Sequence, residues 1–258
     1  MEWQARARRG LFAGGRTADA LNSAFARLLD FIYPRLCVAC EGAVGSEGTS
    51  LCWDCRSTVH LIQPPFCAVC GDPAEGRIEH EYTCPWCEEG DVFFEKARSA
   101  ARYRAVLRTA LQAFKYRKVT SLSNDFGPLM TACLQVHYSK VPFDAVTFVP
   151  LHATRERSRT YNQARILAQG LAAQLGLSPV VRSLKRVRAT TTQTDLTAAE
   201  RRANVKGAFE AVDGAWLAGR SLLLVDDVMT TGATVNECAR VLKDVGVARV
   251  HVMTLARG

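Results

Sequence analysis

Two adjacent carboxylates followed by a turn rich in threonine and glycine form the densest chemical cluster in the chain: Asp226-Asp227-Val228-Met229-Thr230-Thr231-Gly232-Ala233-Thr234. The apolar run Leu222-Leu223-Leu224-Val225 ahead of it reads as a buried strand, so the acids stand where that strand emerges at its carboxyl end. In parallel α/β sheets ligands collect at that edge, and the unpaired amides of a following helix terminus hold phosphate. Thr230, Thr231 and Thr234 add hydroxyl donors, and Gly232 permits close backbone approach. Carboxylates beside a phosphate cradle make electrostatic sense when they accept hydrogen bonds from sugar hydroxyls or meet a magnesium-organised diol. The plain alternative is a pair of strand-end acids followed by a helix cap. Neither the Gly-x-x-x-x-Gly-Lys phosphate loop nor the Gly-x-Gly-x-x-Gly dinucleotide turn occurs.

A second cluster lies in the amino-terminal half. Eight of the ten cysteines form four Cys-x-x-Cys pairs: Cys37/Cys40, Cys52/Cys55, Cys67/Cys70 and Cys84/Cys87. Reduced thiolates at this spacing grip zinc, and the intervals between pairs suffice for hairpins that bring opposing thiolates to a tetrahedral ion. Two zinc ribbons in series, holding two structural Zn²⁺ ions, are the economical reading. Interleaved ligation, with the first and third pairs sharing an ion, is the alternative. Gly42 and Gly71 follow their pairs where positive φ would turn amides toward sulfur. All-cysteine coordination leaves no open position, which makes these ions structural rather than catalytic. Cys133 and Cys238 stand alone in apolar-patterned segments and read as packing residues.

The formal charge of +8 first suggests a nucleic-acid binder. Eight thiolates and two divalent ions lower it to about +4, so locally dense cations carry more information than the total. No stretch approaches the roughly 18 apolar residues of a membrane span, and Leu11-Phe12-Ala13 is too short for a secretory core. The expectation is a cytoplasmic protein.

The elements that must position these clusters follow from periodicity. Residues 1–34 are expected to be a disordered start plus a short amphipathic helix, with Leu21, Phe25, Leu28, Leu29 and Ile32 on one face. The metal module is placed at 35–90 and the α/β domain at 91–258. Within the latter, a strand is expected at Val92–Phe94, and a helix with Tyr103, Val106, Leu107, Ala110, Leu111 and Phe114 inward. Further helices are expected at Asn124–Tyr138, opened by Asn124 or Asp125, at Asn162–Leu175 and at Ala233–Val245. Strands fall at Val146–Val149, Pro179–Leu184, the 222–225 run and Ala248–Leu255, with a long polar segment reaching Lys206. Apolar strands alternating with helices imply a parallel sheet covered on both faces.

The acid–threonine segment resembles the phosphoribosyl pyrophosphate motif of type I phosphoribosyltransferases. Its neighbours are Phe114-Lys115-Tyr116, Val149-Pro150-Leu151-His152, Arg155 through Arg159 with Tyr161-Asn162-Gln163, and Arg188, Thr190, Gln193, Leu196, Arg202, Asn204 with Gly207-Ala208-Phe209. With the tandem cysteine pairs they make residues 21–258 similar to the competence protein ComF family. The resemblance implies a type I phosphoribosyltransferase-like α/β fold behind a double zinc ribbon. It implies phosphoribosyl pyrophosphate bound with Mg²⁺: ribose on Asp226 and Asp227, and phosphate on Thr230, Thr231, Gly232, Ala233 and Thr234. A pyrophosphate loop would lie at Leu151, His152 and the arginines beyond it, where a surface or capping side chain is the rival role for the histidine. Lys185–Arg202 resembles the mobile catalytic loop, with Arg186 and Arg188 reaching pyrophosphate. Thr160 stands where the family often has glycine. No conventional nucleobase hood is evident, so the acceptor and turnover stay open.

The resemblance also implies a part in DNA uptake during natural transformation. The competing class is a non-catalytic single-stranded DNA-binding or protein-docking factor, with a competence or DNA-processing protein as partner. Lys115, Tyr116, Arg117 and Lys118, with Arg155, Arg157 and Arg159, would neutralise phosphates, and Trp53 and Trp86 would stack bases. For Lys115–Lys118 the rival is a helix end with complementary cations; for the tryptophans it is ribbon core, the favoured reading.

Overall fold

A computed structural model of the chain describes residues 35–45, 48–78, 80–177, 180–189 and 197–258. The expected helix at Leu21–Ile32 and the threonine run Thr190, Thr191, Thr192 and Thr194 lie outside the described residues.

The ribbons are two copies of one knuckle design. Cys37 N donates to Gly42 O and Glu41 N to Cys37 O, as Cys67 N donates to Asp72 O and Gly71 N to Cys67 O. The left-handed residue of the first knuckle is therefore Glu41 (φ 62°), matched by Gly71 (φ 69°) in the second. The expectation of positive φ at Gly42 is off by one residue. Gly71 is needed for a second reason: a Cβ there would stand 2.7 Å from Ala97 O. Each ribbon closes on a short helix, α1 (Trp53–Ser57) and α2 (Pro85–Glu89). Trp53 is 74% exposed, which overturns its reading as ribbon core.

After the ribbons come β1 (Lys96–Arg102), α3 (Ala105–Tyr116), α4 (Leu122–Tyr138), β2 (Ala145–Phe148), α5 (Ala153–Arg159) and α6 (Gln163–Gln174). Then follow β3 (Leu184–Arg186), α7 (Ala198–Val205), β4 (Phe209–Ala211), α8 (Gly214–Leu217), β5 (Ser221–Met229), α9 (Ala233–Asp244) and β6 (Arg249–Arg257). The sheet is parallel in the order β1-β6-β5-β2, and β3 pairs with β4 as a separate antiparallel ribbon.

Two apolar layers explain the uninterrupted hydrophobic run in β5. Leu223 and Val225 join Met253, Leu255 and the inner faces of α3, α4 and α6. Leu222 and Leu224 join Val250, Val252 and the inner face of α9. Both faces of the strand are covered, so the side chains from Leu222 to Val225 are all apolar. Cys37, Leu51 and Cys55 of the first ribbon lie in one layer, and Cys67, Cys70 and Cys84 of the second lie in the other. Cys238 is fully buried and Cys133 packs against the first layer, in keeping with packing roles.

Several element expectations need correction. The strand opening the domain is Lys96–Arg102, not Val92–Phe94; Phe93 instead donates its amide to Asn236 Oδ1 at 2.8 Å. Asn124 and Asp125 do not open α4. They lie inside it and hold the first ribbon, Asp125 accepting from Ser50 N at 2.8 Å and Asn124 donating to Gly48 O at 2.6 Å. The strand sought at Pro179–Leu184 is reduced to a bridge between Val181 and Thr147, and the strand proper is β3. The long polar segment contains α7, opened by a capping box between Thr197 and Glu200.

Candidate functional site

The acids end the apolar part of β5 as the phase of burial changes. Asp226 Oδ1 accepts the Asp227 amide at 2.8 Å. Lys115, at the carboxyl end of α3, reaches across to Asp227 at 3.0 Å, with both side chains mostly buried. Burial opposes the lysine charge, but the Asp227 carboxylate outweighs it and holds the Lys115 pKa above its ordinary value. Burial, reinforced by Asp227, pushes the Asp226 carboxyl up to about 7. Lys115 is thus part of the acid cluster, while Tyr116, Arg117 and Lys118 are exposed beyond it.

A cavity of about 310 Å³ opens over this cluster. Asp226, Asp227, Thr230 and Thr234 line it from β5 and the following turn, and Leu151, Arg155 and Arg159 line it from the loop and helix after β2. Arg186 enters from β3, where burial and the nearby Arg155 lower its pKa. Asn162 supports the floor: its Nδ2 donates to Val149 O at 3.0 Å while its Oδ1 accepts from Arg165 N at 3.3 Å, opening α6.

Gly232 has φ 80° and precedes α9, whose first amides face the turn. Asp226 and residues 228–235 ring a small hollow there, with Thr231, Gly232 and Ala233 among them. A backbone in the left-handed region followed by a helix terminus is a configuration that holds anions. The expected site residues Leu151, Arg186, Asp226, Asp227, Thr230, Thr231, Gly232, Ala233 and Thr234 are thereby brought to one edge of the sheet.

Other expected residues fall elsewhere. His152 caps α5, its Nδ1 lying 2.8 Å from Thr154 Oγ1, and it does not line the cavity. Arg188 donates to Asn204 O at 3.1 Å and Lys206 O at 2.7 Å, at the carboxyl end of α7. Arg201, which sequence reasoning missed, lines the cavity in its place. Its signal was present but unread: a capping box sets α7 inside the polar segment and so fixes which arginines share a face. Arg155 and Arg159 line the cavity, while Arg157 is exposed outside it; Arg159 also lies 5.0 Å over the Tyr116 ring. Thr160, where glycine was the family expectation, has φ 70° and closes α5.

The cysteines resolve into two sets, Cys37/Cys40/Cys52/Cys55 and Cys67/Cys70/Cys84/Cys87, with the sulfurs of each set within 4.8 Å of one another. Serial ribbons are therefore right and interleaving is not. The pairs Cys40–Cys52 and Cys70–Cys84 are 3.6 Å apart, close to the roughly 3.8 Å edge of a tetrahedron with Zn–S near 2.3 Å. Burial opposes the Cys37 and Cys67 thiolates, yet backbone amides turned toward their sulfurs win and hold them near 6 and 7. Both donor sets fit a structural zinc.

Residues 28–89 match the double zinc ribbon domain family, and residues 160–258 match the phosphoribosyl transferase domain family. The chain is 32% identical over 226 residues to competence protein F of Haemophilus influenzae, covering 86% of this chain and 96% of that one. It is 30% identical over 222 residues to the DNA utilization protein YhgH of Salmonella typhimurium, covering 80% and 96%. It is 25% identical over 244 residues to competence protein ComFC of Bacillus subtilis, covering 88% and 96%.

Proposed function

The chain belongs to the competence protein ComF family, and from that premise we propose that its α/β domain binds phosphoribosyl pyrophosphate in the service of DNA uptake in natural transformation. The carrying observation is the buried cluster Asp226, Asp227 and Lys115 beside the left-handed turn at Gly232. The ribose hydroxyls donate to the two carboxylates, the 5-phosphate sits on the amides and hydroxyls of Thr230–Thr234, and pyrophosphate faces Arg155, Arg186 and Arg201. The family names of the relatives support the link to DNA. In this reading residues 35–90 serve the metal and residues 91–258 the ligand.

Mg²⁺ fits this donor set, since it commonly uses one or two carboxylates together with substrate phosphates. It would supply charge neutralisation on the pyrophosphate. The chain's own contribution is positional: the carboxylates orient the ribose, and the arginines lie where negative charge grows as pyrophosphate leaves. In this reading Asp226 and Asp227 are taken up by the ribose and Lys115 by Asp227, so the proposed role is binding rather than transfer.

Exposed aromatic–cation pairs favour a second reading, a non-catalytic single-stranded DNA track or docking face. Arg56 lies 5.7 Å over the exposed Trp53 ring, and Tyr116 is 67% exposed under Arg159. Arg117, Lys118 and Arg157 extend that surface. A matched series separates the readings: purified protein is titrated with Mg²⁺ and phosphoribosyl pyrophosphate, and separately with labelled single-stranded DNA over a salt range. Saturable binding of the phosphosugar supports the first; salt-sensitive DNA binding without it leaves the second. Among the described residues no helix is long and apolar enough to cross a membrane; the free thiols of the two cysteine sets are the ground on which we propose a cytoplasmic location.

A further inference from the structure

The two ribbons share a design but attach to different things. The first is tied to the start of α4, through Ser50 N to Asp125, Asn124 to Gly48 O, and the Ser50 and Ser121 hydroxyls 2.6 Å apart. None of these residues lines the cavity over the acid pair. The second ribbon meets the phosphate turn at Gly232, and two further contacts brace the elements on either side of that turn, α9 and the end of β6.

At the first, Trp86 stacks near Phe94, with centroids 6.3 Å apart and planes at 28°. Its Cη2 would lie 3.4 Å from a Cβ placed on Gly232, so the indole edge backs the glycine of the turn. At the second, Asn236 in the first turn of α9 clasps the chain leaving the ribbon. Its Oδ1 accepts from Phe93 N and its Nδ2 donates to Asp91 O, each at 2.8 Å. At the third, Arg257 ends β6 beside Met229, and its Nε donates to Asp72 at 2.9 Å while Nη2 lies 3.9 Å from Cys70 Sγ. Between these points Cys70, Cys84, Trp86, Thr230, Thr231 and Arg257 wall a common chamber of about 280 Å³.

We infer that the second cysteine site is part of the phosphosugar site, with Trp86, Asn236 and Arg257 as positioning residues that hold the Thr230–Thr234 turn ready for phosphate. The inference rests on the phosphoribosyl reading. A structural metal site supplies much of the folding energy of so small a module, so losing the second metal releases the wall on which the turn leans. An anion cradle of backbone amides binds well when it is already in place and poorly when the ligand must order it. The first ribbon, anchored on α4, has no such consequence.

The test compares Trp86→Ala, Trp86→Phe, Cys84→Ser and, as a perturbation of the first ribbon's anchor, Asp125→Asn. Two readouts are taken on the full chain: amide hydrogen exchange at residues 231–236 without ligand, and calorimetry with Mg²⁺ and phosphoribosyl pyrophosphate. Trp86→Ala, retaining both zinc equivalents, is expected to exchange faster at those amides and bind about tenfold more weakly, with Trp86→Phe recovering most of the loss. Cys84→Ser should show the same change enlarged, and Asp125→Asn should leave both readouts at parental values. Trp86→Ala with parental exchange and affinity overturns the inference, as does Asp125→Asn loosening the turn equally. If the parent binds no phosphoribosyl pyrophosphate but the exchange pattern appears, the positioning role stands and the phosphoribosyl reading falls.

Discussion

Replacing Lys115 with methionine keeps the side chain's length and removes its charge from a contact of 3.0 Å with Asp227, where the two side chains are 17% and 12% exposed. Taking one member from a buried ion pair costs about 3–5 kcal/mol. Protonation caps that loss, because a stranded carboxyl can neutralise itself. Holding neutral at pH 7 an acid whose unfolded pKa is about 3.9 costs about 1.4 kcal/mol per pH unit, or about 4 kcal/mol. At pH 5 the same cap falls to about 1.5 kcal/mol. The folded variant then keeps a proton that the unfolded chain releases, so its stability falls as pH rises between about 4 and 7. Lys115, with its raised pKa, stays charged in the parent throughout that window. Urea denaturation of both proteins at pH 5 and pH 7 should show a deficit of about 3–4 kcal/mol at pH 7 that shrinks to about 1.5 kcal/mol or less at pH 5. A deficit under about 1 kcal/mol at pH 7, or one of equal size at both values, refutes the buried pair as drawn.

Metal analysis of the reduced, folded protein should find two equivalents of zinc, and Cys52→Ser should retain one; a metal-free folded parent contradicts the ribbons. Affinity for phosphoribosyl pyrophosphate should rise by about tenfold from pH 6 to pH 8, because Asp226 with a pKa of about 7 must ionise to accept ribose hydroxyls. Asp226→Asn, which carries the ligand's own titration alone, should lack that component; identical profiles would dismiss it. Binding of single-stranded DNA should weaken as salt rises, and Arg117→Ala and Lys118→Ala should each lower the salt slope by about one. A slope unchanged by both moves the track to the ribbons.

The sheet was legible where both faces are apolar, as at Leu222–Val225, and illegible where polar groups pair internally. Strand β1 is built from small and polar residues. Ser99 bonds Thr254 across the strands at 2.6 Å, and Arg98 donates to Ala97 O and Ala68 O, so no hydrophobic period marks it. The acid pair and the turn were readable because strand end, acids and helix start are contiguous in the chain. Lys115 was readable as a cation but not as Asp227's partner, since a contact between α3 and β5 leaves no local trace. The positions of Arg188 and Arg201 were hidden for a similar reason: they depend on α7, which brings Arg201 to the cavity while its terminal carbonyls hold Arg188. Trp53 misled because an indole in a small metal module reads as core, whereas the metal cluster replaces the core there and leaves the ring outside. Thr160 shows the limit of residue type, since a β-branched residue occupies φ 70° where the backbone path favours glycine.

The central claim is a phosphosugar site across Asp226, Asp227 and the Gly232 turn, and calorimetry of Asp227→Asn and Gly232→Val with Mg²⁺ and phosphoribosyl pyrophosphate tests it most directly. The first removes a charged acceptor worth about 1.5–3 kcal/mol, a loss of roughly ten- to hundredfold. The second forces a branched side chain into φ 80°, with Met229 Cε 2.8 Å from the new Cβ, and spoils the cradle instead of the ribose contact. Clear binding by the parent, weakened in both folded variants, is the predicted result; a parent that does not bind, or variants that bind as tightly as the parent, would contradict it.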